Sequence, residues 1–104
     1  MKRLMGIYGI MSKTKFTYYI GKSMDIFERW YQHRYYLKKG LHRSPKLQRH
    51  FNKYGFSDLE FFIIGEFPSD NLDEWEKFYI QCFDSFKGGF NCTLGGDGAA
   101  FREC

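Results

Sequence analysis

Glu76 is a carboxylate in an apolar place. Wound at about 3.6 residues per turn, residues 71–84 gather Leu72, Trp75, Tyr79, Ile80 and Phe83 on one face. Asp73, Glu74, Lys77, Gln81 and Asp84 take the other. Glu76 falls between Ile80 and Phe83, inside the apolar stripe. A buried carboxylate without a partner is costly and tends to take up a proton. Glu76 therefore either snorkels to solvent at the stripe's edge or meets a metal ion, a cationic side chain or a substrate-filled cleft.

A second group of reactive side chains lies near the start of the chain. Gly6–Met11 and Phe16–Gly21 are β-rich runs around the polar linker Ser12-Lys13-Thr14-Lys15, and they read as a hairpin. A symmetric turn centred between Lys13 and Thr14 sets Tyr8 opposite Tyr19 and Ile7 opposite Ile20, so the two phenols share one face of the sheet. Asp25-Ile26-Phe27-Glu28 has the spacing of a helix cap, which starts a helix that runs to Lys39 and ends at Gly40. Its apolar stripe is Ile26, Phe27, Trp30, Tyr31 and Leu37. Arg29, His33 and Tyr36 line one edge, and Arg34 projects within the stripe.

Ser44-Pro45 starts a second helix and Gly55 ends it. Lys46, Arg49 and Lys53 make a basic ridge along that helix. Leu59–Phe67 is almost wholly apolar and reads as a central strand. Asn71-Leu72-Asp73-Glu74 repeats the capping spacing ahead of the Glu76 helix, and a short strand is expected around Phe90–Leu94. These elements predict a compact α+β domain over residues 1–94: a small, mainly antiparallel, three-stranded sheet flanked by helices. Residues 95–104, opening on Gly95-Gly96-Asp97-Gly98, read as a tail or the start of a linker.

The 104 residues suit a single core, and an aromatic content of 21% supplies large rings to fill it. The net charge of +4 hides an asymmetry. Residues 1–54 carry 13 Lys/Arg against 2 Asp/Glu, whereas residues 55–104 carry 3 against 10. A basic surface for a polyanion follows from that split. Cys82, Cys92 and Cys104 are odd in number and widely spaced, with no zinc-binding pattern and no disulfide framework, which fits a reducing cytosol. The apolar run in Met1–Met11 is too short to span a bilayer and carries no cleavage signal.

Gly6-Ile7-Tyr8, followed ten residues later by Tyr19-Ile20-Gly21, resembles the signature of the GIY-YIG endonucleases. The likeness continues. Lys22 follows the second tripeptide, and Glu28-Arg29-Trp30 with His33 resembles the family's catalytic-arginine helix. His42 and the stretch Lys46–Lys53 come next; Glu74–Ile80 resembles the segment bearing the metal-binding glutamate, and Gly89-Phe90-Asn91 the closing segment. It covers about residues 4–97 and is closest to the catalytic domain of phage intron-encoded homing endonucleases.

The resemblance implies phosphodiester hydrolysis of double-stranded DNA. That chemistry needs an activated water, a counter-charge for the phosphoryl group and help for the leaving 3′ oxygen. By resemblance Glu76 holds a divalent cation, Mg²⁺ or Mn²⁺, and Arg29 binds phosphate oxygens. Tyr8 or Tyr19 is the base candidate, with Lys22 or the metal depressing the phenol, and His33 is the rival base because its ordinary pKa of about 6.5 suits the task. Lys22, His42 and Asn91 are supporting residues, and Lys46, Arg49 and Lys53 contact DNA. The expected protein uses no small-molecule cofactor and no membrane. It works as a monomer or a transient dimer on DNA, in the cytoplasm of a bacterial or phage-infected cell. The alternatives are a catalytically silent nucleic-acid-binding or partner-docking module of the same fold, and a repair- or restriction-type nuclease.

Overall fold

The computed structural model describes residues 3–92 and 95. The strands are β1 (Gly6–Ser12), β2 (Tyr18–Ser23) and β3 (Leu59–Glu66), and the helices are α1 (Ile26–Lys39), α2 (Pro45–Tyr54) and α3 (Leu72–Cys82). They follow the chain order β1, β2, α1, α2, β3, α3, with single 3₁₀ turns at Phe56–Asp58 and Ser69–Asn71. The sheet is antiparallel with order β2-β1-β3. The α+β class with a three-stranded sheet flanked by helices is what the sequence predicts. The central position is not: β1 sits in the middle, and Leu59–Glu66 is an edge strand. An apolar run marks a strand covered on both faces, whether it lies at the middle or at the edge.

Two apolar clusters, one on each face, hold the sheet. Tyr8 and Ile10 from β1 pack with Ile26, Leu37, Leu47, Leu59 and Phe90 on the α1/α2 side. Ile7 and Ile20 pack with Leu72 and Ile80 on the α3 side. Alternation along β1 thus sends Ile7 to one core and Tyr8 to the other. Truncating a fully buried member such as Ile10 or Leu37 would cost about 2–5 kcal/mol.

The hairpin register differs from the symmetric turn by two residues. Tyr8 pairs with Gly21, Gly9 with Ile20 and Ile10 with Tyr19. The loop is longer because Asp58 holds it. Its carboxylate accepts from Ser12 Oγ at 2.8 Å, from Thr14 N at 3.0 Å and Thr14 Oγ1 at 2.5 Å, and its backbone oxygen accepts from Lys13 N at 2.8 Å. His50 Nε2 binds the same carboxylate at 2.7 Å, tying the loop to α2. Phe16 closes the loop at φ 53°. A shift of two keeps every side chain on its face, so Tyr8 and Tyr19 still lie on the same side, diagonally and not directly opposed.

Helix α1 begins and ends where expected, with Asp25 Oδ1 accepting from Glu28 N and Gly40 at φ 76°. Its phase is different. Ile26, His33 and Leu37 are the buried positions, whereas Phe27 is 52% and Tyr31 63% exposed. Arg34 lies outside the core with its guanidinium over the Phe61 ring. Burying His33 is possible because both its ring nitrogens find partners, a condition that counting apolar residues does not register. Ser44 caps α2 by accepting from Leu47 N, and α3 runs over Leu72–Cys82 within the predicted 71–84.

Phe90–Cys92 form no strand, and Thr93 and Leu94 lie outside the described residues, as does all of 95–104 except Gly95. Cys82 is a free thiol, and Cys104 lies outside the described residues. No helix among the described residues is long and apolar enough to cross a membrane.

Candidate active site

Tyr8 is 1% exposed at the centre of β1, and its hydroxyl lies between α1 and β2. His33 of α1 places Nε2 at 2.6 Å from Tyr8 Oη, and the charge of Arg29, one turn earlier, favours the Tyr8 phenolate. Gly21, opposite on β2, leaves the space the phenol occupies: a Cβ at that position would lie inside the contact envelope of Tyr8 Oη. This is the physical use of the second glycine of the paired tripeptides. Gly21→Ala is expected to cost about 1–3 kcal/mol by overpacking and to lower activity at least about tenfold by displacing the phenol. Thermal melting and DNA nicking measured together test it; wild-type values of both would show that Tyr8 does not need the space.

Behind Tyr8 runs a chain of imidazoles. His33 Nδ1 lies 2.6 Å from His42 Nε2, and His42 Nδ1 accepts from Ser44 N at 3.0 Å. His42 is held by its own backbone, which donates to Gln48 Oε1, while Gln48 Nε2 donates to Leu37 O and Asn52 Oδ1. The α1–α2 loop is thereby clamped between two helices. Burial, then the neighbouring His42 and Arg29, hold the His33 pKa well below its usual value, and burial lowers His42 to about 4. Both rings are neutral at physiological pH.

Tyr19 packs its ring against both histidines, at centroid distances of 5.2 Å and 6.0 Å. The electrostatics of Tyr8 and Tyr19 both register Arg29, which favours the phenolate, and Glu76, which opposes it. The side chain of Glu76 is only 13% exposed, and Lys22 Nζ lies 3.9 Å from its Oε1. Lys22 is also paired with Asp73. The misplaced carboxylate of the sequence thus has a cation beside it. Lys22 is engaged by two carboxylates, those of Asp73 and Glu76. Burial raises both phenols, Tyr8 well above its ordinary value and Tyr19 to about 12. The phenols lie on the α1/α2 face, and Glu76 reaches Lys22 of β2, the edge strand, from α3.

Asn91 braces that edge. Its Oδ1 accepts from Ile20 N at 2.7 Å and its Nδ2 donates to Ile20 O at 2.9 Å, as a neighbouring strand would. The predicted basic ridge is divided: Lys46 Nζ is engaged by Phe86 O and Asn91 O at 2.7 and 3.0 Å, whereas Arg49 and Lys53 are exposed. Two contributors were missed. The Ser44 amide is a backbone group that no residue type reveals. Asp73 was legible, because it sits three residues before Glu76 and so on a neighbouring part of α3.

Among the described residues no group of three or more His, Cys, Asp or Glu is gathered for a metal. Any cation here would rest on the Glu76 carboxylate, completed by substrate oxygens and water. That hard, sparse donor set suits Mg²⁺ or Mn²⁺ and not Zn²⁺.

Comparison with known proteins agrees with this geometry. The GIY-YIG catalytic domain matches residues 4–89. Intron-associated endonuclease 1 of Enterobacteria phage T4 is 40% identical over 88 residues, covering 83% of this chain and 36% of that protein. The chain therefore spans about a third of the length of this curated relative. A glutamate-to-alanine mutant of the catalytic domain of intron endonuclease I-TevI superposes with a TM-score of 0.83 at 36% identity, covering 95% of this chain and 99% of that one. A second structure, of the catalytic domain of homing endonuclease I-TevI, gives 0.81 at 37% identity, covering 86% and 98%.

Proposed function

Since the chain belongs to the GIY-YIG catalytic domain family, we propose that it is the catalytic domain of a divalent-metal-dependent endonuclease of the homing type, hydrolysing phosphodiester bonds in double-stranded DNA. The observation that carries this reading is that buried Tyr8 and half-buried Tyr19 lie on one face of the sheet, bonded to and packed on His33, with Arg29 and Glu76 both acting electrostatically on the two phenols.

Arg29 presents planar, permanently charged donors to two phosphoryl oxygens and stabilises the charge that builds there. A phenol, Tyr8 or Tyr19, takes the proton of the attacking water. Glu76 holds Mg²⁺ or Mn²⁺, which when bound supplies Lewis-acid assistance to the phosphate and the leaving oxygen. Lys22 and Asp73 set the orientation of Glu76, and Asn91 keeps β2 in place beneath Tyr19. Exposed Arg49 and Lys53, with the basic first half of the chain, contact the DNA backbone. One such site cuts one strand at a time, so a double-strand break requires repositioning or a transient dimer. The working compartment is the cytoplasm of a bacterial or phage-infected cell.

Conversion of supercoiled plasmid to the nicked form tests the reading. Nicking is expected with Mg²⁺ or Mn²⁺ at about 50 mM salt and is expected to stop in EDTA. A chain that binds the plasmid but nicks it with neither metal would be a binding module instead. The pH profile separates the bases. A phenol whose pKa is raised is mostly protonated near neutrality, so the rate should climb about tenfold per pH unit from roughly pH 6 to 8. His33, with its pKa lowered, would be fully basic throughout that range and give a plateau.

A further inference from the structure

The imidazole chain behind Tyr8 has a direction, set at its far end. An amide N–H can only donate, so the 3.0 Å contact from Ser44 N makes His42 Nδ1 an acceptor. Neutral His42 then carries its proton on Nε2, facing His33 Nδ1 at 2.6 Å. The two rings are inclined by 24° with centroids 4.9 Å apart. With so short a nitrogen–nitrogen contact, that separation describes rings lying edge to edge and nearly coplanar, with the N–H in line with the lone pair. His33 Nδ1 therefore accepts, and neutral His33 carries its own proton on Nε2, 2.6 Å from Tyr8 Oη. The reverse order would set an N–H of His42 against the N–H of Ser44.

We propose that His42 is a positioning residue: together with the Ser44 amide it fixes a one-way chain of hydrogen bonds, Ser44 to His42 to His33 to Tyr8, that makes His33 a donor to Tyr8 and not a base. This rests on the nuclease reading for its catalytic meaning, though the direction of the chain does not. His33 has no free nitrogen with which to take a proton from water, since one already bears hydrogen and the other accepts from His42. Tyr8 Oη receives the His33 N–H, so its own proton points away from His33. When that proton leaves, the His33 N–H already aims at the phenolate and no proton moves along the chain.

Long-range ¹H–¹⁵N correlation spectra of the ¹⁵N-labelled chain at neutral pH read the tautomers directly, without DNA or activity. Both His33 and His42 are expected as Nε2–H tautomers. His33 found as the Nδ1–H tautomer, or doubly protonated, overturns the proposal whatever the nuclease assay shows. His42→Gln keeps an N–H donor toward His33, whereas His42→Leu removes it. The leucine variant is expected to lose about tenfold or more in kcat with KM little changed, and its His33 signals should shift toward a tautomer mixture; the glutamine variant should recover most of the rate. Equal losses in both, with unchanged His33 signals, would also overturn it. If the leucine variant fails to fold, the wild-type spectrum still decides.

Discussion

Glu76→Gln is expected to lower metal-dependent nicking by at least about a thousandfold while leaving the fold intact. The exchange preserves shape and hydrogen-bonding capacity but removes the negative charge that a hard divalent cation requires. Lys22 loses one of two carboxylate neighbours and keeps Asp73, so no buried cation is stranded and the melting temperature should change little. Rates at saturating plasmid, over a range of Mg²⁺ and Mn²⁺, provide the measurement. Nicking that stays within tenfold of wild type and remains sensitive to EDTA would place the metal elsewhere and remove the mechanism.

Arg29→Lys should cost about a hundred- to a thousandfold in kcat, although it conserves charge. A lysine ammonium is a point charge and cannot present the planar fork that matches two phosphoryl oxygens. The arginine charge also favours the Tyr8 phenolate, so moving that charge on a different side chain weakens its effect at the phenol as well as at the phosphate. The side chain is half-buried on the face of α1 that meets β1, and lysine fits the same space, so stability should be nearly unchanged. A lysine variant with wild-type kcat would mean that only charge is needed at this position. Glutamine at 76 and lysine at 29 act on the same step, so their combined loss should fall short of the product of the two.

Much of the architecture was legible because it rests on local chemistry. Asp25 accepts the Glu28 amide, Gly40 adopts the left-handed conformation only glycine enters freely, and Ser44-Pro45 opens α2; each is settled within four residues of chain. The stripe on α3 was equally plain, and with it the anomaly of Glu76. The paired tripeptides placed both phenols on one face even though the assumed register was wrong, since a slip of two leaves faces unchanged. The phase of α1 was misread because Phe27 and Tyr31 score as apolar and His33 as polar. A histidine with both nitrogens bonded can be buried, and an aromatic ring with no groove to enter stays outside.

Helix ends, strand faces, the family and the cast of reactive side chains follow from residue order, because each depends on neighbours a few positions away. The hairpin register, the middle position of β1, the cation beside Glu76 and the polarity of the histidine chain were settled only in three dimensions. Each depends on a partner far along the chain or on a backbone group: Asp58 pulling on Thr14, Lys22 reaching Glu76, the Ser44 amide turned toward His42. A hydrogen bond needs a direction and a distance, and neither is encoded in residue type alone.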